Sequence, residues 1–127
     1  MWTHKVVKSW MEHKVWKVLE NNKRICGEFR YEPCTFYLTS HGLKYTPDFL
    51  LRDLKINGKQ VILEPHGHRL GGYRKYKLFR DTFGESYYLI LITRNDDIPN
   101  IPKESYDEIW PIEYLHLLPK QLQKLAK

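Results

Sequence analysis

Glu12, Asp48, Glu64 and His66 are the side chains whose types and settings suit acid, base or metal chemistry. Glu12 lies one position from Met11 and three from Val15, beside an apolar stripe. Asp48 follows Pro47 and interrupts a stretch that continues as Phe49-Leu50-Leu51, while Glu64 ends Val61-Ile62-Leu63 and leads into Pro65-His66-Gly67-His68. A carboxylate at the end of a buried strand is costly unless a cation or hydrogen bonds compensate it. Two such carboxylates on adjacent antiparallel strands face each other, and their oxygens suit a hard divalent cation. An ion held that way lowers the pKa of a water and neutralises charge developing on a phosphate. Singly, Asp48 also reads as a turn residue after proline and Glu64 as a strand-end surface residue. Their joint setting points to chemistry.

For the two carboxylates to meet, the chain must fold back between them. The Asn57-Gly58 pair supplies a hairpin turn, and the arms match in length once a bulge near residues 52–55 is allowed. Upstream, Val7, Met11, Val15 and Val18 recur at helical spacing over residues 6–19, which places Ser9 and Glu12 inside an amphipathic helix that Asn21-Asn22 ends. Residues 28–38 are aromatic and β-favouring, with Pro33 implying an edge or a bulge, and residues 43–54 form a second extended run. Gly71-Gly72 opens a helical stretch over 73–83 that Gly84 closes, and residues 86–93 (SYYLILIT) read as a strand buried on both faces. A loop over 95–102, a short strand over 106–110 and a tail over 111–127 follow; the tail carries Leu115, Leu118, Leu122 and Leu125 at helical spacing, broken by Pro119. The predicted order is helix, three-stranded meander, helix, buried strand and C-terminal appendage, an α/β sandwich.

Charge is distributed unevenly along this frame. Residues 1–80 hold 16 basic and 7 acidic side chains (16 − 7 = +9), whereas residues 81–127 hold 5 and 8 (5 − 8 = −3). A domain this basic over its first two-thirds has the footprint of a polyanion binder, although a solvated Lys-rich surface carries the same count. Within it, Arg69, Arg74, Lys75, Lys77 and Arg80 contain no acid among them and are interleaved with Tyr73, Tyr76 and Phe79, so one helix face can pack while the other meets phosphates. Gly71-Gly72 before that helix brings N–H groups within reach of an anion.

Composition sets the outer bounds. A chain of 127 residues, 42% hydrophobic and 28% charged, suits one globular domain and leaves no room for a separate cofactor-binding half. The longest apolar stretch, residues 87–92, is too short to span a bilayer, and the charged start lacks the apolar run of a signal peptide. Cys26 and Cys34 are too few for a disulfide framework and match no paired redox or zinc spacing, so they are expected as reduced thiols in a cytoplasmic protein. Scarce alanine with abundant Lys and Tyr hints at a virus or mobile element with an AT-rich genome, in which case the location is the host cytoplasm.

The string Tyr45-Thr46-Pro47-Asp48-Phe49-Leu50-Leu51, followed after the turn by Val61-Ile62-Leu63-Glu64-Pro65-His66-Gly67, resembles the PD…(D/E)xK core of the restriction-endonuclease-like nuclease superfamily. Glu12 on a helix, then Tyr31-Glu32-Pro33 and Phe36-Tyr37-Leu38, resemble the order in its small Holliday-junction-resolvase-like and transposase-nuclease members. Val-Ile-Leu-Glu-Pro-His-Gly-His is loosely similar to the very-short-patch repair endonucleases. The resemblance covers about residues 6–93 and implies a restriction-endonuclease-like αβββαβ core, a mixed central sheet flanked by helices, with a C-terminal helical appendage over about 94–127. It implies a metal-dependent endonuclease that hydrolyses DNA with Mg2+ or Mn2+; RNA is the other substrate it leaves open, and a homodimer the assembly it suggests.

Carried over by position, the resemblance makes Asp48 and Glu64 metal ligands with the Pro65 carbonyl as a third oxygen. Glu12 would serve a second ion or orient a water. His66 stands where the motif has lysine, and would act as neutral base or as imidazolium, making activity more pH-dependent between about pH 6 and 7. His68 is a second candidate for phosphate or leaving-group contact, beside the basic set Arg69, Arg74, Lys75, Lys77 and Arg80. Two readings compete: a catalytically inactive nucleic-acid-binding protein on a nuclease fold, for which the missing lysine argues, and a transition-metal site from His41, His66, His68 and a cysteine, whose spacings match no zinc pattern.

Overall fold

A computed structural model describes residues 9–39, 42–67 and 72–126. Its centre is the hairpin of β4 (Phe49–Ile56) and β5 (Lys59–Pro65), joined by Asn57 and Gly58 at φ +54° and +76°, the left-handed pair that a two-residue turn requires. Phe49 pairs with Leu63 and Leu50 with Ile62, and the register shifts between Leu51 and Lys55. The shift is what brings the start of β4 level with the end of β5.

Around this hairpin, β1 (Phe29–Tyr31) lies antiparallel on β4, β6 (Tyr87–Thr93) runs parallel to β5, and β7 (Glu108–Pro111) runs parallel to β6, for a mixed sheet ordered β1-β4-β5-β6-β7. α1 (Trp10–Asn21), the short α2 (Lys23–Cys26) and α4 (Leu118–Leu125) accompany one face, and α3 (Tyr73–Phe83) packs on the other. Strand alternation divides the core. Val61, Leu63, Ile90 and Ile92 face Met11, Val15 and Leu19 of α1, while Ile62, Leu89 and Leu91 face Tyr76 and Phe79 of α3. Glu64, two residues after Ile62, therefore points toward α3. The fold is α/β, with a mixed five-stranded sheet flanked by helices and a C-terminal helix.

Four local expectations change. The first helix starts at Trp10: Ser9 is extended at φ −139°, ψ 162° and caps it by accepting the Glu12 N–H at 3.1 Å, so Ser9 lies before the helix rather than inside it. The single strand expected over 28–38 is two, because Glu32 turns at φ +48° and Pro33 has no N–H to donate. Its second half, β2 (Phe36–Tyr37), pairs with β3 (Lys44–Tyr45) in a separate ribbon, so the run over 43–54 also divides. The C-terminal third enters the body of the molecule, adding β7 to the sheet and Ile112, Leu115, Leu118 and Leu122 to the core beneath α1. Pro119 sits in the first turn of α4, where a missing N–H costs nothing. Among the described residues no helix is long and apolar enough to cross a membrane.

Candidate functional site

At the start of β4 and the end of β5, Glu12, Asp48, Glu64, Pro65 and His66 line one cavity of about 600 Å3. The two central carboxylates are recessed, Asp48 at 8% exposure and Glu64 at 7%. The backbone N–H of Asp48 donates to Glu64 Oε1 at 3.0 Å, which locks the two strand ends together. Tyr45 from β3 donates to the same oxygen at 2.8 Å, and Tyr76 from α3 donates to Oε2 at 3.3 Å. Glu64 is thus clasped by the two elements covering that face of the sheet.

Burial raises the pKa of Asp48 first, and the charges of Glu64, Glu12 and Glu32 push it further. Burial also raises Glu64; the Tyr45 hydroxyl, the Asp48 N–H, the Lys75 ammonium and the Tyr76 hydroxyl each oppose that rise. The pair is held in a form that favours a proton, or another cation in its place. Asp48, Glu64 and the Pro65 carbonyl are the oxygens such an ion would take. Among the described residues, no three His, Cys, Asp or Glu side chains are already gathered as an ion cage. Glu64 Oε1 already accepts two hydrogen bonds, whereas Oε2 accepts one and keeps a lone pair that an ion could take.

Glu12 reaches the cavity from the first turn of α1, its Oε1 accepting from Tyr31 at 2.6 Å. His66 follows β5 directly; its N–H continues the ladder to the Ile92 carbonyl at 2.8 Å, and its ring stands between Tyr73 and Tyr76 of α3. Nδ1 lies 3.0 Å from the Tyr76 hydroxyl. A hydroxyl that donates to Glu64 can accept from Nδ1, and Nε2 is buried within the ring's packing. Gly72, at φ +86°, turns the chain into α3 above that ring.

The basic set divides. Lys75 points into the cavity wall, its Nζ 5.8 Å from the Tyr45 ring and 5.9 Å from the Tyr76 ring. Arg74 lines a different pocket with Thr39, Gly42 and Leu43. Lys77 is exposed and paired with Asp81 at 2.8 Å. His68 and Arg69, like His41, lie outside the described residues. Arg80 is engaged within the fold: Nη1 donates to the Glu104 carbonyl and Nη2 to Asp107 Oδ1, both at 2.8 Å, while Asp107 Oδ2 accepts the Leu89 N–H. Its guanidinium ties α3 to the segment entering β7. Arg80→Ala is accordingly expected to cost about 2 kcal/mol by stranding Asp107, lowering the melting temperature by several degrees, whereas Lys77→Ala leaves it unchanged; thermal melts by circular dichroism decide.

Several lining residues were not singled out from sequence. Glu32, Lys44 and Arg94 share the cavity. Glu32 holds a left-handed backbone immediately before a proline, a conformation costing about 1 kcal/mol or more that its N–H bond to the Asp48 carbonyl at 2.8 Å helps retain. The Tyr-Glu-Pro string was the available signal. Comparison of the chain with protein-family models, with curated proteins and with solved structures finds no match.

Proposed function

We propose that this protein is a divalent-metal-dependent endonuclease that hydrolyses DNA phosphodiester bonds by activated-water attack. The observation that carries this reading is the recessed pair Asp48 and Glu64, brought together by adjacent strand ends in a cavity whose wall also holds Lys44, Lys75 and Arg94. Buried acids surrounded by cations suit a substrate that is itself an anion and reacts next to a metal. Magnesium or manganese, held by Asp48, Glu64 and the Pro65 carbonyl with Glu12 nearby, would neutralise charge on the phosphate and acidify water there.

The chain's own residues supply the rest. In this reading His66 accepts a proton as the water oxygen bonds to phosphorus, which requires its buried Nε2 to turn into the cavity; the bridging P–O bond breaks and the departing oxygen takes a proton from solvent. Lys75 contributes a fixed positive charge, and Tyr45 and Tyr76 hold Glu64 until the ion competes for it. The tyrosine clasp also favours the second reading, an inactive nucleic-acid-binding protein on the same scaffold, because an ion must compete with hydrogen bonds already made to each Glu64 oxygen.

A cleavage panel of single-stranded, duplex, mismatched and four-way-junction DNA with magnesium and manganese tests both. Metal-dependent cutting that Glu64→Ala removes supports the nuclease; binding without cutting under every condition supports the inactive reading.

A further inference from the structure

Trp10 is the first residue of α1 and is 53% exposed. A lone exposed aromatic needs no explanation, but this one differs from the other large exposed apolar side chains among the described residues. Tyr37, Tyr114 and Leu117 do not line the carboxylate cavity, and Trp10 does. Two cations approach its ring, Lys14 Nζ and Arg94 Cζ each at 5.8 Å from the centroid. A half-exposed indole with two cations near its ring, beside recessed acids, has the parts of a single-strand platform: an aromatic face for a base once a side chain swings aside, and positive charge for the flanking phosphates.

We infer that Trp10 stacks on an unpaired nucleobase, so that the substrate of this site is DNA whose strand is single or locally unpaired at the reacting phosphate. The inference rests on the nuclease reading and adds the substrate class to it. Two physical reasons favour an unpaired strand. A base inside a duplex has both faces covered by its neighbours and offers none to an indole. Asp48 and Glu64, at 8% and 7% exposure, lie below the surface, so a phosphate must leave the regular helical path to reach them. Arg94, following the last residue of β6, and Lys14, one turn along α1, then meet phosphates flanking the stacked nucleotide.

The test measures binding apart from cutting, in the full chain carrying Asp48→Asn, with an oligothymidylate and a blunt duplex of equal length as probes. Oligothymidylate is expected to bind more tightly than the duplex and to quench tryptophan fluorescence. Adding Trp10→Ala should weaken oligothymidylate binding about 5- to 100-fold, the loss of one stacked base, and leave duplex binding within about twofold. Trp10→Phe should keep most of the affinity, since a phenyl ring still stacks, while removing the quench. Unchanged oligothymidylate binding in Trp10→Ala, or an equal loss on both probes, overturns the inference; wild-type cleavage lost on Glu64→Ala would then leave the nuclease reading standing. Failure of the folded Asp48→Asn protein to bind either probe overturns the inference, and the nuclease reading falls with it only if the wild type also cuts none of the DNA panel.

Discussion

Asp48→Asn is expected to lower metal-dependent cleavage by about a hundredfold or more while making the metal-free protein more stable. The two effects have one origin. Asp48 is buried near Glu64, Glu12 and Glu32, and each of those influences raises its proton affinity, so its charge is a burden on the fold. An amide of the same shape removes that burden and can donate to the Glu64 carboxylate. Roughly 2 kcal/mol of stabilisation at neutral pH follows, about what one to two pKa units of relief represent, and the melting temperature should rise by several degrees. Cleavage should fall by about 10²- to 10³-fold or more, since a neutral amide is a poor ligand for a hard cation and the lost charge acts at the reacting centre. Calorimetry at pH 7.5 with chelator, beside single-turnover cleavage with magnesium, measures both. A variant that cut normally would remove Asp48 from the site; one destabilised without metal would mean its carboxylate is compensated within the fold. Lowered activity with raised stability is the pattern of residues kept for chemistry rather than for packing.

What could be read from the sequence was whatever depended on short-range pattern. Asn57-Gly58 names its turn chemistry, the run ending at Glu64 names a buried strand, and a two-residue turn with a bulge dictates which strand ends meet. The same reasoning placed residues 73–83 on a helix and 86–93 on a strand, which form α3 and, over 87–93, β6. Contacts between segments distant in sequence were not legible. Arg80 looks like a surface cation in its own helix and is an anchor only because Asp107, 27 residues on, returns beside it. The short strand read over 106–110 forms at Glu108–Pro111, but its place beside β6 was not in the local pattern. The division of residues 28–38 came from Glu32 adopting a conformation that its neighbour Pro33 ordinarily disfavours. The same limit applies within the site: Glu64 was visible as an acid out of place, but its tyrosine clasp depends on α3 and β3 meeting over β5.

Without metal, the stability that Asp48→Asn gains over the wild type should grow as pH rises, and magnesium or manganese should close the gap. The sign follows from proton counts. In the unfolded chain the two carboxyls ionise near their ordinary values of 3.8 and 4.5. In the folded protein both ionise at higher pH, so above about pH 4 the folded state binds more protons than the unfolded one and unfolding becomes easier as pH rises. The contribution these groups make is fully present in acid and is lost upward through neutrality as the folded pair ionises. A divalent ion binds the ionised pair and reverses the loss; protons and metal compete for the same oxygens, so its stabilisation should be weak near pH 5 and several degrees near pH 8. Thermal melts of the wild type, Asp48→Asn and Glu64→Gln with and without magnesium or manganese at the two pH values provide the measurement. A metal-induced shift equal at both pH values, or retained in Glu64→Gln, would place the ion elsewhere on the protein. A shift confined to high pH and to the intact pair would tie the buried charge, the metal and the proposed chemistry to Asp48 and Glu64.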